Sequence, residues 1–274
     1  MNSTIAAGIG WLDQPRAHDR IQELERRGQL TREQAEACRF FTDRGYLVVK
    51  DLVPDAMVTP AAQATMDILT ANRGRPRTDL ASQVTDRYRD LACLRAIMVH
   101  APLLAWGDLL LGARALPYQS LSLPESSQQA AHSDEILMSS EPRGGMLAAW
   151  VALEDVHADA GPLLVWPGSH RWEYVSAASI GVAANASQQE RSQLFDTNYY
   201  ASVRTLAERH GARGEPQLLQ RGDVLFWHQA LVHGANLIER AGATRNSLVI
   251  HYYAEGARHY SDIWGRPCTL PGLR

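Results

Sequence analysis

The sequence predicts a mainly β fold with flanking helices, its core a sandwich or barrel of jelly-roll type. Three observations carry this. Apolar residues recur at helical spacing through about residue 115, and from Leu116 onward the pattern changes to short apolar runs. Gly161-Pro162, Pro167-Gly168 and Arg221-Gly222-Asp223 then punctuate those runs as turns. Several short strands with turns between them read as a closed or two-layered β architecture.

Each element has its own signal. Thr31 with Gln34 three residues on forms a capping-box pattern, and Gly45 is placed to end the helix it opens. Residues 46–49 are a short apolar strand. Thr59-Pro60 reads as an N-cap followed by proline at the first helical position, opening a helix to about Asn72. Residues 73–89 are polar and charged and read as a surface loop, followed by helical pieces at 91–99 and 103–111. Strands are expected at 116–123, 146–153, 162–166, 224–232 and 247–253. Between 175 and 215 the texture turns to Ala, Ser, Gln and Asn, with helical spacing at 188–195 and 203–210. Such an insertion between strands is expected to cover the mouth of a site. No repeat or linker divides the chain. Residues 1–274 read as one domain, with 1–115 a helical buttress, 116–274 the β-core and 175–215 an insertion or lid.

Length and composition agree with this reading. At about 150 residues per domain, 274 residues lie between one domain and two, and 45% apolar content suffices for a sizeable core. Lys plus Arg number 27 against 30 Asp plus Glu, and 27 − 30 = −3, so no broad basic surface is available for nucleic acid or anionic lipid. No apolar run approaches the ~20 residues that span a bilayer. The first residues, Met1 to Gln14, lack the basic-then-apolar order of a signal peptide. Cys38, Cys93 and Cys268 are odd in number and widely spaced, which argues against a disulfide framework. The expectation is a cytoplasmic protein acting on a small-molecule substrate, without nucleic acid or membrane.

The chemistry centres on His132-Ser133-Asp134. In an extended segment alternate side chains share a face, so His132 and Asp134 can approach one divalent metal. His233 is the best third ligand of the ten histidines, because a strand pattern from Val224 runs into it and stops at Gly234. Two histidines and a carboxylate form the facial triad of non-haem Fe(II) oxygenases, which leaves three adjacent positions for a bidentate 2-oxo acid and O2. A closed structural zinc site would need a fourth protein ligand. Arg245, beyond the turn at 239–243, would hold the acid's far carboxylate with its planar fork. If strands 224–235 and 245–253 form a hairpin centred on Glu239, Arg245 lies opposite His233. The same parity puts Trp227, Gln229 and Leu231 on the His233 face and turns His228 away, provided no bulge intervenes.

These stretches are ordered in a way that resembles the phytanoyl-CoA dioxygenase family of Fe(II)/2-oxoglutarate oxygenases. The resemblance rests on 132–134, on Trp150 through Asp155, on Gly161-Pro162-Leu163 with Pro167-Gly168-Ser169-His170, and on Gly222 through His233-Gly234 to Thr244-Arg245. Residues 30–52 also resemble the family's opening helix and strand. It implies a double-stranded β-helix (jelly roll, cupin-like) core, with His132, Asp134 and His233 as both catalytic and iron-binding residues. Arg245 and Trp150 would contact 2-oxoglutarate, and Fe(II), 2-oxoglutarate and O2 would serve as cofactor and cosubstrates. One departure is Ala235, where many members carry a small hydroxyl residue. Asp134 argues against a halogenase, in which the carboxylate is lost.

The remaining polar residues divide into five groups. Gln119, on the strand before the metal motif, is a donor to the oxo acid, and Arg143, Tyr199 and Tyr200 are substrate-pocket candidates. His170 reads as a turn residue, and His228 and His251 as satisfied core histidines. His157, His210 and His259 read as surface residues. The expected function is hydroxylation, or other oxidation, of an unactivated C–H bond in a small metabolite, with release of succinate and CO2. The rivals are a cupin-type isomerase or hydrolase that uses the metal alone, and a ligand-binding module without turnover.

Overall fold

Local chemistry builds the N-terminal layer of the computed structural model, which describes residues 7–71 and 85–273. Helix α1 (Ala17–Arg26) precedes α2 (Arg32–Arg44). At the start of α2, Thr31 Oγ1 accepts from Gln34 N at 3.1 Å and Gln34 Oε1 accepts from Thr31 N at 3.0 Å, the expected capping box. Gly45 ends the helix at φ 77°, and a side chain there would collide with His170. Strand β1 (Tyr46–Val49) follows as expected.

Helix α3 (Asp55–Ala71) begins earlier than its proline suggests. Pro54 O accepts from Met57 N and Val58 N, so Pro60 falls inside the helix rather than at its first position. The Thr59 hydroxyl is engaged elsewhere: it accepts from Arg221 Nη2 at 2.7 Å, while Asp55 accepts from Arg221 Nε at 2.7 Å. The expected loop at 73–89 lies mostly outside the described residues. Its end forms a bridge from Thr85 to Leu121 and a 3-10 turn at Arg87–Arg89. Helices α4 (Ala92–Met98) and α5 (Ala101–Leu111) complete the layer. Among the described residues no single helix is long and apolar enough to cross a membrane.

Among the described residues every strand pairing of the β-core is antiparallel. Strands β2 (Ala115–Leu123), β4 (Met146–Ala152), β7 (Val224–His228) and β9 (Ser247–Ala254) join β1 in a five-stranded sheet of order β1-β7-β4-β9-β2. Strands β5 (Leu163–Val165), β6 (Glu215–Gln217) and β8 (His233–Ala235) form a second sheet, order β6-β5-β8. Strands β3 (Ser139–Glu141), β10 (Arg258–Ser261) and β11 (Arg266–Pro267) form a third. All seven residues of β4 are buried, which explains its unbroken apolar run. Leu147, Ala149 and Val151 pack with the N-terminal helices, whereas Ala148, Trp150 and Ala152 face Leu163 and Val165 of the second sheet. This second face carries the site.

Two expectations about strand connection fail here. The run 224–232 is not one strand: β7 stops at His228, and Leu231 N turns back to donate to His228 O at 2.8 Å. Side chains replace the ladder, since Gln229 Oε1 accepts from Met146 N and Ser140 Oγ, and Ser169 Oγ accepts from Val232 N. The chain then enters the second sheet as β8. The hairpin centred on Glu239 is also absent, because β9 pairs with β4 and β2 while β8 pairs with β5. Between β8 and β9 the backbone bonds instead to Asp159 and Pro124.

The insertion holds α6 (Gln188–Leu194), a π-helical turn at Phe195–Tyr199 and α7 (Tyr200–Arg209). Phe195, Tyr199 and Val203 pack with Ile136 and Val232, on the segments that carry Asp134 and His233.

Candidate metal centre

His132 and His233 are brought together by an isolated antiparallel bridge. Each backbone N–H donates to the other's carbonyl at 2.8 Å, and the ring centroids lie 4.3 Å apart. Both imidazoles have a defined tautomer. Nδ1 of His132 donates to Ala130 O at 2.8 Å and Nδ1 of His233 donates to Leu231 O at 3.0 Å, so each Nε2 is left as a lone-pair donor. Ser133 is extended at φ −116°, ψ 154°, and a 3-10 turn begins at Asp134, which turns its carboxylate toward the same point. One ligand atom from each of His132, Asp134 and His233 lies within 4.8 Å of the others, and all three residues are buried. Burial first, and the neighbouring His233 second, push the His132 imidazole down to about 4, which keeps it neutral and able to ligate. Burial pulls Asp134 upward, but the histidines around it and the Trp227 N–H lower it overall, so it is held as a carboxylate.

The three residues open into a cavity of about 230 Å³, which Arg245, Trp150 and Gln119 also line. Arg245 is 1% exposed. Its Nη1 donates to Gly161 O at 3.2 Å, its guanidinium lies 5.4 Å from the Trp150 ring centroid, and its Nε has no partner. Among the described residues no carboxylate pairs with it. Burial without an anion lowers it to about 10. Trp150 Nε1 is likewise buried without a partner. Gln119 reaches the cavity just past a bulge in β2, between Pro117 and Gln119. A buried cation and an orphaned indole N–H beside a two-histidine, one-carboxylate cluster suit a metal-chelating, anionic 2-oxo acid.

Arg245 and His233 do line one cavity, but through the facing of two sheets and not through a hairpin. Parity also fails beyond His228. Gln229 bonds to Ser140 and Met146, whereas Trp227 reaches the site and Leu231 packs with it in the inter-sheet core. His228 is turned away as expected, its Nε2 3.1 Å from Asp13 Oδ2.

Three placements correct the sequence reading. His251 is not a satisfied core histidine: it lines the cavity, its Nε2 lies 3.7 Å from Asp134 Oδ2 and its Nδ1 has no partner. Alternation along β9 carried the signal, since Arg245, Val249 and His251 are separated by even steps and line the same cavity. Arg143 lies outside the cavity and pairs through Nε with Glu135 Oε1 at 2.6 Å. It lines a separate space of about 410 Å³ with Asp13 and His170. Tyr199 is fully buried and does not line the cavity. Its hydroxyl accepts from Ser133 N at 2.9 Å and donates to Ser133 O at 2.9 Å, pinning the residue between two metal-site side chains. Tyr200 is half-buried, and its hydroxyl accepts from Gln129 Nε2 at 3.3 Å. Tyr199→Phe is therefore expected to lower unfolding free energy by about 1–3 kcal/mol in urea titrations, the range for a buried polar group losing its partner. Tyr200→Phe is expected to stay below about 1 kcal/mol.

Comparison with known proteins agrees with this geometry. The profile of the family described as phytanoyl-CoA dioxygenase matches residues 41–239. The peroxisomal phytanoyl-CoA dioxygenase of Bos taurus is 23% identical over 275 residues, covering 86% of this chain and 74% of its own. That of Homo sapiens is 22% identical over 265 residues, covering 84% and 71%. Among solved structures, the non-haem, α-ketoglutarate-dependent carbocyclase SnoK from nogalamycin biosynthesis superposes with a TM-score of 0.63 at 20% identity, covering 89% of this chain and 90% of its own. EctD from S. alaskensis gives a TM-score of 0.59 at 22% identity, covering 89% and 85%. The jelly-roll fold is thus shared with these enzymes. By the match over residues 41–239, the chain belongs to the phytanoyl-CoA dioxygenase family and is a 2-oxoglutarate-dependent non-haem iron dioxygenase.

Proposed function

We propose that His132, Asp134 and His233 hold the iron, that Arg245 and Trp150 bind 2-oxoglutarate, and that the enzyme oxidises an unactivated C–H bond of a small metabolite. The observation that carries the reading is the buried guanidinium of Arg245, unpaired by any acid among the described residues, in the same cavity as the three ligands. The isomerase or hydrolase reading does not by itself call for a buried cation in the cavity that the metal ligands line.

Each residue has a task that its surroundings support. The backbone acceptors at Ala130 and Leu231 keep both imidazoles oriented through Nδ1, so that each Nε2 would be free to hold the metal. Arg245 offers its fork to the far carboxylate of 2-oxoglutarate, and the free N–H of Trp150 and the amide of Gln119 donate beside it. With iron and 2-oxoglutarate bound, the chemistry supplied is oxidative, dividing O2 between the C–H bond and the decarboxylation that yields succinate and CO2. Leu121, Leu137, Met138 and Val249 give that space an apolar wall, which keeps water from the reacting centre. The insertion at 175–215 braces the metal-bearing segments from outside through Tyr199. Cys38, Cys93 and Cys268 are free thiols, which supports a reducing, cytoplasmic setting.

Anaerobic addition of Fe(II) and 2-oxoglutarate tests the reading. A weak visible metal-to-ligand band is expected, followed on admission of O2 by succinate release that rises with the true substrate in a metabolite screen. Absence of the band would refute the assignment.

A further inference from the structure

The five-stranded sheet sets Trp227, Ala148, His251 and Gln119 side by side. Ala148 is in register with Trp227 on one side and His251 on the other, and His251 with Gln119. Directly opposed residues of antiparallel strands share a face, so this row lies under the cavity with only a methyl group at its centre. The Asp134 carboxylate sits between the two large rings. Its Oδ2 accepts from Trp227 Nε1 at 2.8 Å and lies 3.7 Å from His251 Nε2, whereas its Oδ1 lies 3.8 Å from His233 Nε2. The two oxygens are thus in different surroundings. One is tied to the sheet, and the other faces the neighbouring ligand. Trp227 also packs on His233, with ring centroids 4.6 Å apart at 40°. It is 2% exposed and Asp134 is 4% exposed, so water does not compete for this hydrogen bond.

We infer that Trp227 is a positioning residue that restrains Asp134 to bind the metal through Oδ1 alone. The inference rests on the proposed iron and 2-oxoglutarate chemistry and adds the means by which the third coordination position is kept open. A carboxylate can ligate with one oxygen or both. Three protein ligands leave three positions of an octahedron, and a bidentate 2-oxo acid plus O2 requires all three. Chelation by both oxygens of Asp134 would remove one. The indole N–H acts against that, because moving Oδ2 to the metal would break a buried hydrogen bond to an ionised group and strand the donor. A phenylalanine at 227 would fill the same space without the N–H, so the hydrogen bond and the packing can be separated.

The test is Trp227→Phe, titrated anaerobically with 2-oxoglutarate at saturating Fe(II) while the visible band is followed. The half-saturating concentration is expected to rise at least about tenfold, within the 10–100-fold range for loss of an outer partner of a metal ligand. A change under threefold, in a variant whose circular dichroism matches the unsubstituted protein, overturns the inference and leaves the oxygenase reading standing. No band in the unsubstituted protein overturns that reading instead. If Trp227→Phe does not fold, indole ¹⁵N–¹H spectra of the metal-free protein decide. One slowly exchanging indole resonance is expected to move in Asp134→Asn, and seven unmoved resonances would overturn the inference.

Discussion

Alanine at His132, Asp134 or His233 is expected to abolish iron-dependent turnover of 2-oxoglutarate. Losing an outer partner of a metal ligand already costs about 10–100-fold, so losing a ligand should exceed about 100-fold. Two remaining ligand atoms also cannot define a face of an octahedron. The control is His228→Ala, which removes an equally buried imidazole whose Nε2 points to Asp13, away from the cavity. That variant is expected to lose stability but to bind Fe(II) and form the 2-oxoglutarate band when assayed below its melting temperature. Measured side by side, succinate release and iron content separate loss of the site from loss of the fold. Iron retained in His233→Ala and lost in His228→Ala would reverse the assignment.

At Arg245 two substitutions should move binding and stability differently. Arg245→Lys keeps a charge but loses the two-pronged donor, so KM for 2-oxoglutarate is expected to rise about 10–150-fold, equivalent to about 1.5–3 kcal/mol for a hydrogen bond to a charged group. Arg240→Lys should leave KM unchanged, because Arg240 is exposed and pairs with Asp159 at the surface. Arg245→Met should abolish 2-oxoglutarate binding while leaving the metal-free protein as stable or more so, since an unpaired buried cation is costly to the fold. Stability and binding that fell together in Arg245→Met would mean that the guanidinium serves the fold and not the cosubstrate.

The elements that sequence reading placed well are those whose causes are local. The capping box of α2 involves Thr31 and Gln34, three residues apart, and its Gly45 terminus depends on one backbone angle. Strand β4 is buried on both faces and therefore shows as an unbroken apolar run. The His132–Asp134 pair needs only an extended residue between its members, and Ser133 supplies it. Partners that no short periodicity reveals account for the misreadings. Thr59 reads as a helix cap because its hydroxyl's true partner, Arg221, lies more than 150 residues away. Arg143 is a pocket candidate in sequence because its pairing with Glu135 requires a loop geometry that no periodicity reveals. Tyr199 reads as a pocket residue because helical spacing does not show that its hydroxyl is held by Ser133.

By itself the sequence determined the candidate chemistry: the three candidate ligand side chains, the arginine, the apolar strands and the order in which they occur. The His132–Asp134 pair and the apolar strands follow from residue type and short spacing, whereas His233 and Arg245 rest on the ordered motifs that resemble the family. The tertiary structure decided which of these face one another. Strand parity cannot pass through a chain that leaves one sheet after His228 and enters another at His233, and that change of sheet is made by hydrogen bonds that Ser169 and Gln229 accept from backbone N–H groups. Nor does sequence say that β9 lies between β4 and β2, the order that brings His251 and Trp227 to either side of Asp134. Pairing between strands is a long-range choice, settled by which packing buries both faces of the sheet and satisfies its polar groups together.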